Sequence, residues 1–518
     1  MYQKRKILIM LSIILILQIV LPVVNIIWKN SFTIVSRAIE NDAYNIDTAQ
    51  DLWNFAEEVN NGNTFEGATV NLTANIDLSC SEDNQWIPIG DYNSNSANVF
   101  KGTFDGKKYT ISGIYINSNK KYQGLFGFNA GVIKNLTINE GNISSSDSCT
   151  GAVVGFNSGS IINVINELTI TGGDNLGGIC GRNYGEIISC QNNGAITGLE
   201  NITGKQLGGI TGFNGGSVIS SSNMGMINGY ESSELLSGVG GICGYNEGRI
   251  EDCKNSTKIN NPKNTGGIAG LNATGGAIIN CTNTAEIIGE VLIGGIVGKN
   301  NYRSTREGYT IILNCTNSGN IKSILTTGTS YVGGIAGSSA CSSEKGKAVI
   351  NKCKNTGLIE GSIYVGGICG FQGDANGENT SYIKKCWNSG IVKSKVYGGE
   401  TTASKYSTTA GIVGENNDGY IDECYNTGEI FGGIDASGIA GINSGIITNS
   451  YNLGNINAII DIENSSSYQL SKFSSSLAAG IVCINYGTIK NCYNVGKVAA
   501  DYAAGLVFSN LNNNAIIE

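Results

Sequence analysis

Gly240–Ser256 reads GGICGYNEGRIEDCKNS, with two cysteines ten residues apart. The same text recurs along the chain as G-G-[IV]-x-G-x-N-x-G-x-I-x-x-C-x-N-x-G-x-I, in 13 copies whose commonest spacing is 26–28 residues. Each copy holds apolar runs of two to four residues, too short for a helix, separated by glycine or asparagine. One copy cannot bury a core, but stacked copies can. The repeat therefore predicts an all-β fold, a parallel β-solenoid of about 13 coils.

Composition restricts the possible functions. The chain has 518 residues with 74 glycines, 3 prolines and no histidine. The absence of histidine excludes Ser-His-Asp catalysis and HExxH zinc peptidases. Asp and Glu number 41 against 33 Lys and Arg, a net charge of -8, which argues against nucleic acid as a partner.

The N-terminus has the order of a secretory signal. The basic residues Lys4–Lys6 precede an apolar run, Ile7–Ile27, and the small-residue site Ser36–Ala38 follows. Because the run is long for a signal, an uncleaved membrane anchor is an open alternative. We expect residues 1–38 to form one of the two, and the rest of the chain to be exported.

Residues 39–120 differ from the repeats. Thr48–Asp51 has the pattern of a capping box, and apolar residues follow at helical spacing: Leu52, Phe55, Ala56 and Val59. We expect a short helix that covers the open end of the solenoid, since exposed end strands invite aggregation. The strand-like sequence of Phe100–Ile116 predicts the first irregular coils, and the repeats then occupy residues 121–518.

Two positions of the aligned repeats form ladders of like residues. The first is cysteine in eight coils: Cys190, Cys253, Cys281, Cys315, Cys353, Cys386, Cys424 and Cys492. The second, two residues later, is asparagine: Asn192, Asn255, Asn283, Asn317, Asn355, Asn388, Asn426 and Asn494. Stacked amides can each bond to the residues above and below. We interpret both ladders as structural.

The cysteines do not show a metal-site spacing. The ladder position also holds Leu136, Val164 and Ser221, the total of 15 is odd, and no CxxC pair occurs. We expect buried thiols, with disulfides between adjacent coils as an alternative in an exported protein. Zinc needs ligands that converge from tight spacings. We therefore predict no metal, no cofactor and no catalytic residue.

Carboxylates occur singly rather than as catalytic pairs. Two small groups lie at repeat corners: Glu247, Glu251 and Asp252, and Asp418, Asp422 and Glu423. Their aligned counterparts are Ser, Ile or Asn, so we interpret them as solvated faces. A glycan-active β-helix enzyme, which needs converging carboxylates on one face, is kept as an alternative.

Insertions lengthen one corner of the repeat, just before GGI. They are Leu199–Gln206, Tyr230–Ser237, Ile324–Tyr331, Lys393–Thr409 and Asn457–Leu477. Such insertions stack on one side of a solenoid, which is often the binding face. The two largest carry basic and aromatic residues suited to glycan or protein contact, namely Lys393, Tyr397, Lys405, Tyr406, Tyr468, Lys472 and Phe473. Tolerated loop growth on a rigid scaffold is the alternative.

The text GGIAG-x-N followed by NCTNT resembles the GLUG repeat of bacterial surface proteins. Ile46–Ile114 is similar to the leader that often precedes such repeats. The resemblance implies an adhesin-like protein; similar repeats also lie beside the catalytic domain of IgA-cleaving zinc peptidases. This chain has no HExxH, LPxTG or cell-wall-binding motif, so among peptidases it matches only the repeat portion.

These observations predict a non-catalytic, exported cell-surface scaffold for adhesion or ligand binding. Its expected partner is a host or cell-surface glycan or protein, with membrane contact only through the N-terminal apolar segment. Besides the glycan-active enzyme, we keep a second alternative, the repeat portion of a larger surface protein or peptidase. It is suggested by the last residues of the sequence, NNNAIIE, which lie inside a repeat.

Overall fold

The coil that contains the opening stretch shows how one repeat folds in the computed structural model. Its five strands are Gly238–Gly240, Cys243–Asn246, Arg249–Glu251, Lys254–Asn255 and Ile259–Asn260. Each strand pairs in parallel and in register with its counterpart one repeat later, as Cys243 does with Ala269. The two cysteines of the stretch therefore belong to different sides of one coil. This stacking confirms the predicted β-solenoid.

The structure describes residues 44–518 with internal gaps. The gaps are 92–97, 200–205, 230–236, 261–262, 303–306, 326–327, 344, 375–380, 395, 398–406, 459–461, 464–474 and 512–514. The predicted signal or anchor, residues 1–38, lies outside the described residues and stays a prediction. Within the described part, no helix is long and apolar enough to cross a membrane.

Stacking of the coils produces four long parallel sheets. Sheet 1 has 13 strands, from Phe126–Asn129 to Val507–Asn510. Sheet 2 has 28 strands, because most coils contribute two short strands to it. Sheet 3 has 13 strands, from Ile114–Ser118 to Val498–Ala499, and sheet 4 has 12, from Thr150–Gly151 to Tyr502–Ala504. The number of strands in sheets 1 and 3 agrees with the 13 repeats counted in the sequence.

The interior is filled by apolar residues from all sides of the coil. In the coil of the opening stretch they include Ile242, Ile250 and Ile259, all fully buried. Coils approach so closely at the Gly-Gly corner that a Cβ on Gly241 would collide with the Gly267 carbonyl oxygen and the Asn255 side chain. Glycine is therefore required at this corner by contact between coils.

A sharp bend divides sheet 2 in each repeat coil. The residue before the ladder cysteine has a left-handed backbone, with φ of 53° at Asp252, 54° at Asn280 and 53° at Asn314. Asn and Asp tolerate this conformation better than other side chains. The bend interrupts the strand and turns the next residue, the ladder cysteine, into the core.

The helix α1, Ala49–Asn60, begins with the predicted capping box between Thr48 and Asp51. Its buried residues are the four predicted ones, and the short N-terminal capping helix is confirmed. The Phe55 ring lies 5.0 Å from that of Phe65 and 5.7 Å from that of Phe100, measured between centroids. The helix thus packs on the first coils, which include Tyr44–Ile46, Thr69–Leu72, Ile76–Asp77, Thr103–Asp105 and Thr110–Ser112.

Three consecutive coils are lengthened at a second corner, between sheets 1 and 2, which the sequence reasoning missed. Their extended strands are Val297–Tyr302, Gly308–Leu313, Ala336–Cys341, Gly346–Asn351, Cys369–Asp374 and Ser381–Lys384. Cys341 and Ala348 form a small core of their own there. The unusually long interval between GIxG and the ladder cysteine in these three repeats is the signal that could have found this corner.

Candidate functional site

The asparagine ladder of sheet 2 is a continuous column of buried amides. Ten hydrogen bonds of 2.7–3.2 Å join Asn166 to Asn494, each from Nδ2 of one asparagine to Oδ1 of the next. Each Nδ2 also bonds to its own coil, as Asn317 does to the Gly319 carbonyl at 2.9 Å. All the predicted ladder asparagines lie in this column.

Sheet 1 carries a second amide column, which is interrupted. It runs from Asn129 to Asn300 by the same Nδ2-to-Oδ1 bonds and resumes from Asn416 to Asn510. In between stand Ser339 and Gln372, in the coils with the lengthened second corner. The amide pattern therefore changes where the coil changes shape.

The ladder cysteines have free thiols that hydrogen-bond to backbone groups at the bend of sheet 2. The Sγ of Cys315 lies 3.4 Å from the Leu313 carbonyl oxygen and accepts a bond from the Cys281 amide at 3.4 Å. Where serine stands at this position, Ser221 Oγ accepts from the Cys190 amide and donates to the Ile219 carbonyl. Thiol and hydroxyl thus fill one structural role. Cys492 differs from the others in being only half-buried.

An aromatic column stands on the outer side of sheet 2 in four successive coils. The rings of Trp387, Tyr425, Tyr451 and Tyr493 are nearly parallel, with centroids 5.9, 5.1 and 4.9 Å apart. Lys354 lies 5.8 Å from the Trp387 ring centroid at one end. Because the rings cover one another's faces, we assign the column to cohesion between coils.

The carboxylate groups at the corners are not all solvated. Asp422 is buried, bonds to Thr448 and Asn449, and forms an ion pair with Lys384 at 2.7 Å. Burial opposes ionisation of Asp422, but these bonds outweigh it and lower its pKa. Our interpretation of this residue as part of a solvated face was wrong, because its partners lie on adjacent coils. Glu251, by contrast, pairs with half-exposed Arg249 in its own strand.

Asp435 is a second buried carboxyl that the sequence analysis missed. It is 4% exposed, and its Oδ1 has no hydrogen-bond partner. Burial raises its pKa to about 7. Cys483 lies nearby, with Sγ 3.1 Å from the Ala436 carbonyl. Most repeats have glycine at the position of Cys483. In the preceding coil the small residue Ala436 leaves room for the larger cysteine side chain.

The structure places only part of the predicted ligand loops. Lys393 lies half-buried in the strand Val392–Ser394. The backbone of Val396–Tyr397 pairs in parallel with that of Ile462–Glu463, so the two largest insertions meet although one coil separates them. The other predicted residues are outside the described part: Lys405, Tyr406, Tyr468, Lys472 and Phe473. Their role in binding stays a prediction.

A groove with a volume of about 700 Å³ lies along sheet 3 near the N-terminal end. One wall is the segment 85–91, and the floor is formed by sheet 3, including Ile116 and Ser144. The lining combines amides and hydroxyls with apolar atoms: Gln85, Asn117, Asn119, Gln123, Ser118, Ser146, Ile87, Pro88 and Leu199. Leu199 is where the first of the corner insertions begins. The groove therefore opens on the side that the insertions enlarge.

The helix α1 fixes the wall of this groove. Asn60, its last residue, donates to the Pro88 carbonyl at 3.1 Å and accepts from the Gly90 and Asp91 amides. The Trp53 ring packs against Trp86, with centroids 4.6 Å apart, and Trp86 Nε1 donates to the Leu125 carbonyl. Gln85 Oε1 accepts from the Asn117 amide at 2.8 Å, which ties the wall to the floor.

Within the described residues, no group of three or more Cys, Asp or Glu side chains is placed to hold a metal ion. The groove brings together uncharged donors and acceptors beside apolar surface, and Asp91 and Lys120 also line it. This arrangement can bind a neutral, polyhydroxylated molecule through hydrogen bonds and apolar contact.

Comparison with known proteins shows what kind of repeat this is. Residues 236–260 and 261–288 match the sequence profile of the GLUG motif. The resemblance drawn from the motifs is therefore confirmed: two consecutive coils of this β-solenoid are GLUG motifs.

Two relatives share part of the chain. A segment of 142 residues is 32% identical to Halomucin of Haloquadratum walsbyi, covering 26% of this chain and 2% of that protein. A segment of 137 residues is 34% identical to a "Putative Gly-rich membrane protein" of Evansella cellulosilytica, covering 25% of this chain and 15% of that protein. The matches thus span a small fraction of either relative.

One solved structure resembles the fold. It is the crystal structure of "a putative immunoglobulin A1 protease" from Bacteroides ovatus, with a TM-score of 0.36 and 19% identity. The similarity covers 56% of this chain and 78% of that chain.

Proposed function

We propose that the protein is an exported, non-catalytic surface scaffold that binds a glycan in the groove beside sheet 3. The observation that carries the proposal is the lining of that groove, in which amides and hydroxyls converge beside exposed apolar surface. Surface location is supported by the N-terminal apolar segment and by the relative that is named a membrane protein.

The mostly uncharged lining, in which one acidic and one basic residue balance, favours a sugar over a charged ligand. Gln85 Oε1 accepts from the backbone N–H of Asn117, so the wall and the floor are joined before a ligand arrives. Side-chain amides suit hydroxyl groups, which both donate and accept, and an apolar wall suits the hydrocarbon face of a sugar ring. Pre-ordering lowers the entropic cost of binding.

A glycan array tests the proposal, with two matched variants. Ile87→Lys places a charge on the apolar wall, where the side chain is 54% exposed. Met226→Lys makes the same change at an equally exposed apolar side chain outside the groove, 55% exposed. We expect the wild type and Met226→Lys to retain the same glycans with equal affinity, and Ile87→Lys to bind at least about tenfold more weakly.

Two outcomes would refute this function. Absence of any retained glycan in the wild type excludes a glycan-binding groove. Equal weakening by both variants assigns the binding to general surface charge instead.

A further inference from the structure

Six cysteines of the ladder occupy consecutive coils without interruption. They are Cys253, Cys281, Cys315, Cys353, Cys386 and Cys424, and all are free and buried. On either side the column ends at serine, Ser221 and Ser450. The column is therefore a continuous row of six core thiols, to which neither the groove nor the proposed glycan binding assigns a role.

The six side chains share one conformation. Each Sγ lies 3.2–3.4 Å from the carbonyl oxygen two residues earlier and 3.5–3.8 Å from a carbonyl oxygen of the preceding coil. Because the conformation repeats and the strands are in register, adjacent sulfurs are separated by the spacing between strands, about 4.8 Å.

This separation distinguishes between two chemistries. A disulfide has Cβ atoms about 3.5–4.5 Å apart, with a mean of about 3.8 Å, so joining two adjacent column cysteines in the mean geometry would require the coils to approach by about 1 Å. A metal ion held linearly between two thiolates needs sulfurs about 4.6 Å apart, twice a metal–sulfur bond of about 2.3 Å. The column has the spacing of the second arrangement.

We propose that the column binds soft, two-coordinate d10 metal ions, each held between the sulfurs of two adjacent coils. Thiolates select soft ions such as Cu(I). No group of three or more ligating side chains converges within the described residues, which suits two-coordinate ions and not tetrahedral zinc. Since each sulfur bonds to one ion, six thiols take up three.

The binding step involves no oxidation or reduction. Two thiols release their protons to solvent, and the two sulfurs each donate an electron pair to one ion. With Cu(I) the product carries one negative charge, and with Hg(II) it is neutral. Backbone amides of Cys281 and Cys353 donate to the sulfurs of Cys315 and Cys386 at 3.4 Å, which stabilises negative charge on sulfur in the core. Entry requires local opening of the coils, so uptake is slow.

Serine is the natural replacement for a test, because Ser221 makes the same backbone bonds as the cysteines. Two triple variants remove three thiols each but differ in which thiols remain adjacent. The first changes Cys281, Cys353 and Cys424 to serine and leaves three isolated thiols. The second changes Cys253, Cys281 and Cys315 and leaves three contiguous thiols.

The experiment loads the reduced full chain with Cu(I) under anaerobic conditions, removes weakly bound ion with a competing small thiol, and counts copper per chain. We expect about three ions in the wild type, one in the contiguous variant and none in the isolated variant. Cys243→Thr is the control for a buried thiol outside the column, since Thr211 holds that position one coil earlier, and it should retain three.

X-ray absorption of the loaded wild type keeps the proposal testable if a triple variant fails to fold. Two sulfur neighbours per copper are expected; three or more, or any nitrogen or oxygen neighbour, would overturn the proposal. So would equal copper counts in the two triple variants, or retention of Zn(II) at the same stoichiometry as Cu(I).

Discussion

At the scale of single residues, the buried amides carry most of the specificity of this solenoid. The ladder asparagines from Asn166 to Asn452 are fully buried, and an unpaired buried amide costs about 1–3 kcal/mol. Each one from Asn166 to Asn452 bonds both to the next coil and within its own, so the register of one coil on the next is fixed by polar contacts as well as by shape.

Substitutions of Asn192 and of its neighbour Asn193 test whether the ladder stabilises the fold. Asn192→Ala leaves the Asn166 donor and the Gly194 and Asn223 acceptors without their partner, so we expect a loss of about 3 kcal/mol in unfolding free energy. Asn193 is exposed, and Asn193→Ala should change stability by less than about 0.5 kcal/mol. Urea unfolding measures both, and equal effects would contradict a stabilising ladder.

Asp435 predicts an unusual pH dependence. Burial raises its folded-state pKa to about 7, above its ordinary value, so the folded chain holds this proton where the unfolded chain has lost it. The contribution of Asp435 to stability is therefore greatest at low pH and falls as the pH rises from about 4 to 7.

The variant Asp435→Asn removes this titration. We expect its urea midpoint at pH 8 to exceed that of the wild type, with a smaller difference at pH 4. Asp422→Asn is the opposite control: the pKa of Asp422 is lowered, so its contribution is present above the ordinary pKa and lost as the pH falls. Asp422→Asn should therefore destabilise the protein at pH 8. A wild-type midpoint that rises between pH 5 and 7, with no change in Asp435→Asn, would contradict the assignment.

At the scale of elements, the repeat could be recognised in the sequence because every coil must satisfy the same packing constraints. The Gly-Gly corner, the inward isoleucine and the ladder asparagine recur with fixed local spacing, so the sheets and their register follow from the sequence. The groove could not be predicted, because Gln85, Asn117 and Ser144 meet only after the segment 85–91 folds over sheet 3. The burial of Asp435 could not be predicted for a similar reason, since it depends on which residues the fold places over this side chain.

The helix α1 should be needed to keep the first coils from associating. Phe55→Ala opens a cavity among aromatic rings and is expected to cost about 3–5 kcal/mol. Local loss of the helix exposes strand edges, which promotes aggregation. Light scattering during mild heating should show earlier aggregation for this variant than for Glu57→Ala on the exposed face. Identical onset temperatures would argue that α1 has no protective role.

At the scale of the whole molecule, the protein is a rod in which the 13 repeat coils alone span about 60 Å at the spacing of β-strands, with the N-terminal coils stacked before them. Each coil contacts mainly its two neighbours, so stability is distributed along the rod and not concentrated in one core. Side chains of the last two described coils are among the most exposed apolar ones, with Val495 at 71% and Leu511 at 58%.

Hydrogen exchange should report this gradient. We expect backbone amides in the central coils, such as Cys281 and Cys315, to exchange most slowly, because coils on both sides cover them. Amides of Val498–Ala499 and Tyr502–Ala504 should exchange at least about tenfold faster. Mass spectrometry of peptides from the folded chain measures both regions. Uniform protection along the rod would show that it opens only as a single unit.

The amide columns give the rod an electrical direction. Every described bond between ladder asparagines points the same way, from the Nδ2 of one coil to the Oδ1 of the coil that follows in sequence. The side-chain dipoles therefore add along the axis, as backbone dipoles do in a helix. One end of each column presents an amide acceptor and the other an amide donor. The acceptor end of the sheet 2 column, Asn166, stacks on Ile138 of the preceding coil and lies inside the rod, whereas the donor end, Asn494, lies near the C-terminal end. A second rod therefore cannot continue this column from the end that α1 covers.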